Sequence, residues 1–97
     1  MEDCVITCPI IISYAEDDTD VPYLVEIPTF EGMTQGSSLT DGIAMAQDYI
    51  GLAANLRLEN GQSLPINSET IPATSATVVI VSVNIDDYRR QHATQML

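Results

Sequence analysis

The stretch E-I-P-T-F-E-G-M-T-Q-G-S-S-L-T-D-G-I, residues 26–43, contains two chain reversals and the start of a helix. Pro28 and Gly32 bracket the first reversal, and Gly36 marks the second, since proline and glycine are the strongest local signals of a turn. Only residues 33–35 remain between the reversals as a candidate strand. The sequence therefore predicts a very short strand followed at once by a helix.

The helix has a clear start and end. Ser38 is a good N-cap, and Asp41 three residues later completes a pair that resembles a capping box. Asn60 and Gly61 favour a left-handed end. These signals predict a helix from residue 38 or 39 to about 58. The predicted buried stripe consists of Leu39, Ile43, Ala46, Ile50 and Ala53 or Ala54.

Three further segments are typical of strands. Residues 5–14, V-I-T-C-P-I-I-I-S-Y, and residues 23–27, Y-L-V-E-I, form a predicted antiparallel hairpin. Residues 76–85, A-T-V-V-I-V-S-V-N-I, follow the helix. Because a crossover strand joins its sheet right-handedly, we expect it parallel to the first strand and beside it.

The fold class is thus α+β, in the order β-β-β-α-β, with a mixed sheet and one helix packed on one face. The predicted core contains Ile6, Ile10, Ile12, Val25, Ile27, Val79, Val81 and Val83, with Ile43, Ala46 and Ile50 from the helix.

The composition is strongly acidic. Fourteen acidic residues stand against three arginines and no lysine, so the formal net charge is −11. A phosphate backbone repels such a surface, which disfavours direct nucleic-acid binding. A basic partner protein would instead be attracted to it. The alternative is that the charge only keeps the protein soluble.

Membrane, metal and disulfide signals are weak. No apolar run approaches the ~20 residues of a membrane span, and no signal peptide opens the chain, so we expect a cytoplasmic protein without a membrane partner. Cys4 and Cys8 are four residues apart, and on a strand this spacing would place them too far apart for a disulfide. With His92 they do not make a four-ligand zinc site. We expect no metal and no cofactor.

Several ordered motifs resemble the HicB antitoxin family. They are an extended apolar strand, an acidic turn, and then Y-L-V-E-I-P, F-E-G-M-T-Q-G, S-L-T-D-G-I-A-M-A-Q-D-Y-I-G-L, G-Q-S-L-P-I-N-S and V-N-I-D-D-Y-R-R, and together they span residues 9 to about 90. The T-Q-G triplet directly before a capped helix, with the I-D-D-Y-R-R ending, is the most specific combination. Many members carry a glycine-cysteine pair and one more residue before T-Q-G, whereas here Gly32 and Met33 lead straight into it.

The resemblance implies a partial RNase H-like fold and a role in a type II toxin–antitoxin system. Its partner would be a HicA-like toxin, a small basic protein that cleaves messenger RNA. Residues 1–90 would form the HicB-like domain and residues 91–97 a C-terminal tail. Many members continue from this point into a DNA-binding segment. Whether such a segment is naturally absent or truncated stays open.

The predicted partner-binding residues cluster in and beside the turn between the first two strands. Glu16, Asp17, Asp18 and Asp20 form an acidic run that offers a landing site for a basic toxin, and Tyr23 is a candidate anchor. The alternative interpretation is a solvated hairpin turn and a tyrosine at the edge of the core. Both stay open at this stage.

The second face of the sheet is a candidate oligomer interface. Val5, Ile11, Val78 and Ile80 fall on this face, and the sequence predicts no second helix that would cover them. Exposed apolar patches of this kind usually mark interfaces. We therefore expect a homodimer or larger homo-oligomer, formed through this face or through an edge strand.

An enzyme is not expected. A two-metal nuclease needs several converging carboxylates, and residues 5–14 contain none. Glu26, Asp41, Asp86 and Asp87 lie at the ends of elements or in a cap, and no catalytic residue is predicted. Two functions remain: an antitoxin that binds and neutralises a basic toxin, or an orphan HicB-like dimerising regulatory module without a toxin.

Overall fold

The computed structural model describes residues 4–15, 20–65 and 76–95, with side chains described up to residue 91. Its elements are β1 (Val5–Tyr14), β2 (Tyr23–Ile27), a 3₁₀ turn (Pro28–Phe30), β3 (Gly32–Gly36), α1 (Leu39–Glu59), β4 (Thr77–Asn84) and α2 (Ile85–Gln95). The strands form one sheet in the order β3-β2-β1-β4. Helix α1 packs on one face of this sheet, which confirms the predicted α+β class.

The orientation of β4 differs from the prediction. Strand β4 pairs with β1 in the antiparallel sense, with Val5 opposite Asn84 and Ile12 opposite Thr77. The predicted parallel arrangement is therefore wrong, and the sheet is antiparallel rather than mixed. The crossover rule applies only if the chain rejoins the sheet in the parallel sense. At ~3.3 Å per extended residue, residues 60–76 are long enough to return along the sheet before β4 begins.

The core lies between the sheet and α1. Nearly all the predicted core residues are buried, and Val79 and Ile43 are half-buried at its margin. Cys8, Ala54 and Ile85 complete it. The buried set is Ile6, Cys8, Ile10, Ile12, Val25, Ile27, Ala46, Ile50, Ala54, Val81, Val83 and Ile85.

The first chain reversal is a single 3₁₀ turn. Pro28 begins it, and the Glu31 N–H donates to the Pro28 carbonyl oxygen at 3.1 Å. Glu31 adopts the left-handed conformation with φ of 52°, which allows the chain to re-enter the sheet at once. Strand β3 then covers five residues rather than the predicted three and pairs with β2 from Gly32 opposite Ile27 to Gly36 opposite Tyr23.

The predicted cap of α1 is confirmed in detail. The Ser38 side chain accepts a hydrogen bond from the Asp41 N–H at 3.0 Å. The Asp41 carboxylate accepts one from the Ser37 N–H at 2.9 Å, one residue earlier than a standard capping box. At the other end Gly61 has φ of 70°, as the predicted left-handed end requires.

The second helix was not predicted from the sequence. Helix α2 begins directly after β4, where the Asn84 side-chain oxygen accepts a hydrogen bond from the Asp87 N–H at 2.9 Å. Ile85, assigned to the strand in the sequence analysis, is buried in the core as the first residue of α2. Helix α2 packs on α1, and the Tyr88 ring occupies the space that a Cβ at Gly51 would need.

Candidate partner-binding surfaces

The acidic turn joins β1 to β2 at one end of the sheet. Its base is closed by a hydrogen bond from the Ala15 N–H to the Pro22 carbonyl oxygen at 2.7 Å. Asp20 is exposed. Glu16, Asp17 and Asp18 lie outside the described residues, so of the predicted acidic run the structure describes Asp20.

Tyr23 has contacts within the chain. It is half-buried and packs against the core, and its ring meets the ring of Tyr14 edge to face, with centroids 5.3 Å apart and planes at 70°. The two tyrosines are directly opposite each other on β1 and β2, as in other aromatic cross-strand pairs. Tyr14 is 61% exposed. The exposed aromatic surface at this end of the hairpin therefore belongs mainly to Tyr14.

The contacts of Arg57 and Arg90 within the chain leave a surface with an excess of acidic side chains. The Arg57 guanidinium lies 5.3 Å above the centre of the Phe30 ring, a cation–π contact. Arg90 forms an ion pair with Asp87 at 3.4 Å, where both side chains are exposed. Two of the three arginines are thus engaged within the chain, while Glu26, Glu31 and Glu59 are exposed. A basic partner meets a surface with a large excess of carboxylates.

An apolar surface that the sequence analysis missed lies at the β3 edge of the sheet. Met33 on β3 is 59% exposed and Met45 on α1 is 43% exposed, and both line one open groove with Leu24, Thr34 and Gln35. Exposed methionines suit a binding surface because their flexible side chains adapt to a partner. The signal was available in the sequence, since Met45 falls outside the predicted buried stripe of α1.

The outward side of α1 extends this apolar character. Leu52 and Leu56 are each 49% exposed. Leu52 lies seven residues after Met45, and Leu56 lies four residues after Leu52, which places the three on one side of the helix. Helix α2 packs elsewhere on α1, at Gly51. We call Met33, Met45, Leu52 and Leu56 the apolar strip.

The predicted oligomer residues lie on the outer sheet face, but not all together. Ile11 is opposite Val78, and Ile80 is two residues further along β4, so these three are neighbours. Val5 is at the other end of the ladder, opposite Asn84. Ile80 is 53% exposed and Val5 39%, whereas Ile11 and Val78 are half-buried.

Three of the four carboxylates considered for catalysis have structural contacts. Asp41 accepts from Ser37, Asp86 accepts from the Cys4 N–H at 2.6 Å, and Asp87 pairs with Arg90. Within residues 4–15, 20–65 and 76–91, no group of three or more His, Cys, Asp or Glu side chains could hold a metal ion.

The titratable groups with shifted values are also poorly suited to nucleophilic chemistry. Burial raises the pKa of the Cys8 thiol, and the hydrogen bond with Thr29 offsets this only in part. Burial and the neighbouring Asp48 carboxylate raise the pKa of Tyr88. A raised pKa keeps both groups protonated and weakens them as nucleophiles.

Comparison with known proteins gives one informative match. No protein-family model and no curated protein matches the chain. A chain of a solved toxin–antitoxin complex from Streptococcus pneumoniae is similar with a TM-score of 0.72 and 24% identity, covering 87% of this chain and 72% of that chain. At this identity the match shows a shared fold. Neither helix, over the residues described, is long and apolar enough to cross a membrane.

Proposed function

We propose that this protein is the antitoxin of a type II toxin–antitoxin system and that it binds and neutralises a basic, HicA-type toxin that cleaves messenger RNA. The observation that carries the proposal is the fold shared with a chain of a toxin–antitoxin complex, at a TM-score of 0.72 over 87% of this chain. The HicB-like motifs in residues 9 to about 90 support the same role, and the toxin's messenger RNA target would place it in the cytoplasm.

The charge of the surface suits this role. A toxin that binds RNA needs a basic surface to neutralise phosphates. A protein with a net charge of −11 competes for that same surface, because its carboxylates replace the phosphates of the RNA. Neutralisation then needs no chemistry from the antitoxin, only occupation of the RNA-binding surface.

Two kinds of contact have different roles in this proposal. The acidic turn, of which Asp20 is described and exposed, steers the encounter. The apolar strip supplies contacts that hold the complex once formed. Exposed charges act mainly on the association rate, whereas buried apolar contacts act mainly on dissociation.

Replacing Asp17, Asp18 and Asp20 together with Asn is expected to slow association with the toxin about tenfold at low salt, because steering depends on long-range charge. The difference should disappear at high salt, where the Debye length falls to ~3 Å at 1 M. Stopped-flow or surface-plasmon kinetics over a salt series measures both rates. The dissociation rate and the stability of the fold should stay unchanged, since solvated charges add little to stability.

A matched variant separates steering by the turn from the effect of net charge. Glu26→Gln, Glu31→Gln and Glu59→Gln together remove the same number of charges from exposed positions elsewhere. We expect this variant to associate nearly as fast as the wild type. If the two triple variants slow association equally, the turn has no special part in the encounter.

We further propose that the protein is a homo-oligomer, at least a dimer. The exposed side chains of Val5 and Ile80 on the outer sheet face and at its β4 edge support this. The orphan regulatory module shares this property, so self-association does not separate the two functions. A neighbouring gene for a small basic protein with a catalytic histidine would favour the antitoxin.

A further inference from the structure

Strand β4 forms one edge of the sheet, and its pairing with β1 shows which of its groups face outward. Pro9 is directly opposite Ile80. Proline has no N–H, so this pair cannot exchange two hydrogen bonds. Hydrogen-bonded and non-hydrogen-bonded pairs alternate along an antiparallel ladder. The backbone N–H and C=O groups of Val78, Ile80 and Ser82 therefore point away from β1, toward the open edge.

Within residues 4–15, 20–65 and 76–95, this edge is not blocked by the usual devices. Edge strands are normally protected by charged side chains, proline or bulges, and β4, T-V-V-I-V-S-V-N, has no charge, no proline and an unbroken ladder with β1. Within the described chain, one side chain reaches its outward groups: Gln47 Nε2 is 3.4 Å from the Ser82 carbonyl oxygen, a long bond at an exposed position. Ile80 at the centre is 53% exposed.

We propose that the β4 edge binds the β4 edge of a second copy of this chain, antiparallel and centred on Ile80, so that two sheets join into one of eight strands. Ile80 then pairs with Ile80 of the second copy, and Val78 pairs with Ser82. Each of these pairs exchanges two backbone hydrogen bonds, because all three residues direct their N–H and C=O groups outward. The interface is isologous and closes as a dimer.

Charge favours a second copy over a basic partner at this edge. Residues 70–85 form the longest uncharged run in a chain of net charge −11. A basic protein gains little from this strip, because β4 itself carries no carboxylate and the nearby Asp48 and Asp87 line a pocket only at its C-terminal end. A second acidic copy repels the first at most other surfaces, and this strip is where the two can approach without bringing carboxylates together.

Charge also favours the antiparallel direction. Asp86 and Asp87 follow β4 at the start of α2. In the antiparallel dimer each Asn84, the last residue of β4 before Asp86, lies four positions from the central Ile80, on opposite sides, so the two strand ends are about 27 Å apart at ~3.4 Å per residue. This is far beyond the Debye length of ~8 Å at physiological salt. A parallel dimer would place the acids of both copies side by side.

The test is the mass of the protein in solution without any toxin. Light scattering at tens of micromolar should give twice the chain mass of 10.5 kDa. Ile80→Pro removes an outward N–H without breaking the ladder with β1, and Ile80→Lys places a charge at the dimer centre. Both should weaken the dimer at least about tenfold. Circular dichroism should show that each variant stays folded.

Met33→Lys is the matched control, because Met33 is similarly exposed but lies on β3 at the opposite edge of the sheet. Its dimer should be as tight as that of the wild type. Amide hydrogen exchange adds a test on the unmodified chain. Val79, Val81 and Val83 should be protected at all concentrations, and Val78, Ile80 and Ser82 should gain protection only as the dimer forms.

Three results would overturn this interface: a wild-type monomer at tens of micromolar, Ile80 variants that dimerise as tightly as the wild type, or no added protection at Val78, Ile80 and Ser82. The inference rests on the self-association part of the proposed function and not on the toxin. Because no toxin is present in these measurements, the dimer prediction can be contradicted while toxin binding is confirmed. Toxin binding can equally be contradicted while the dimer is confirmed.

Discussion

A Gly36→Ala variant is expected to lose about 3 kcal/mol of unfolding free energy, at the upper end for overpacking in a core. Gly36 ends β3, and a Cβ added there would collide with the backbone N and Cα atoms of Gly42 in the first turn of α1. Backbone atoms cannot rotate away as a flexible side chain can. Helix α1 would have to move off the sheet, which would also disturb the cap formed by Ser38 and Asp41.

Thermal and urea unfolding followed by circular dichroism measure this loss, with an expected fall in Tm of roughly 12–24 °C for a domain of this size. Gly42→Ala is the matched control at the same contact. Its Cβ would meet side-chain atoms, Val25 Cγ2 at 3.2 Å and Tyr23 Cβ at 3.9 Å, and alanine is the better helix former. We expect it within about 1 kcal/mol of the wild type. Equal losses in both variants would contradict the close approach of β3 and α1.

An Ile50→Ala variant is expected to lose about 2–5 kcal/mol, because truncation leaves a cavity in a packed core. Ile50 is 0% exposed at the centre of the face that α1 presents to the sheet. Urea unfolding gives the free energy and the m-value together. An unchanged m-value with a lower midpoint would attribute the loss to the folded state.

Ile43 provides the comparison on the same helix. The sequence analysis placed it in the buried stripe with Ile50, but the structure leaves it half-buried at the margin of the core. Ile43→Ala makes the same chemical change and should cost less than about 2 kcal/mol, since less surface is removed from the interior. A larger loss at Ile43 than at Ile50 would mean that α1 is rotated on the sheet.

The local elements were predictable because each has its own signal. The alternation of apolar residues along the chain identified the strands, and the cap formed by Ser38 and Asp41 identified the start of α1. The direction of β4 has no local signal, since a strand of valines is equally compatible with either direction. Helix α2 was missed because V-N-I-D-D-Y continues the apolar pattern of β4 into Ile85. The available signal of a helix start was Asn84 as the cap residue, with Asp86 and Asp87 in the first turn after it.

The candidate surfaces were only partly predictable. Composition alone indicated an acidic partner-binding surface, and the turn residues Glu16, Asp17 and Asp18 stay a prediction. Tyr14 falls on the same face of β1 as the buried residues Ile10 and Ile12. It is nevertheless exposed, because it is the last residue of the strand. The open β4 edge depends on which residue is opposite Pro9. That register follows from tertiary pairing, which no single stretch of sequence encodes.

The proposed antitoxin role is tested most directly by cleavage of messenger RNA by a HicA-type toxin, measured with increasing amounts of this protein. We predict that cleavage falls to the background level as the protein reaches stoichiometric amounts, and that the acidic-turn variant reaches the same end point more slowly at low salt. Cleavage that continues unchanged in a large excess of the folded protein would contradict the antitoxin role.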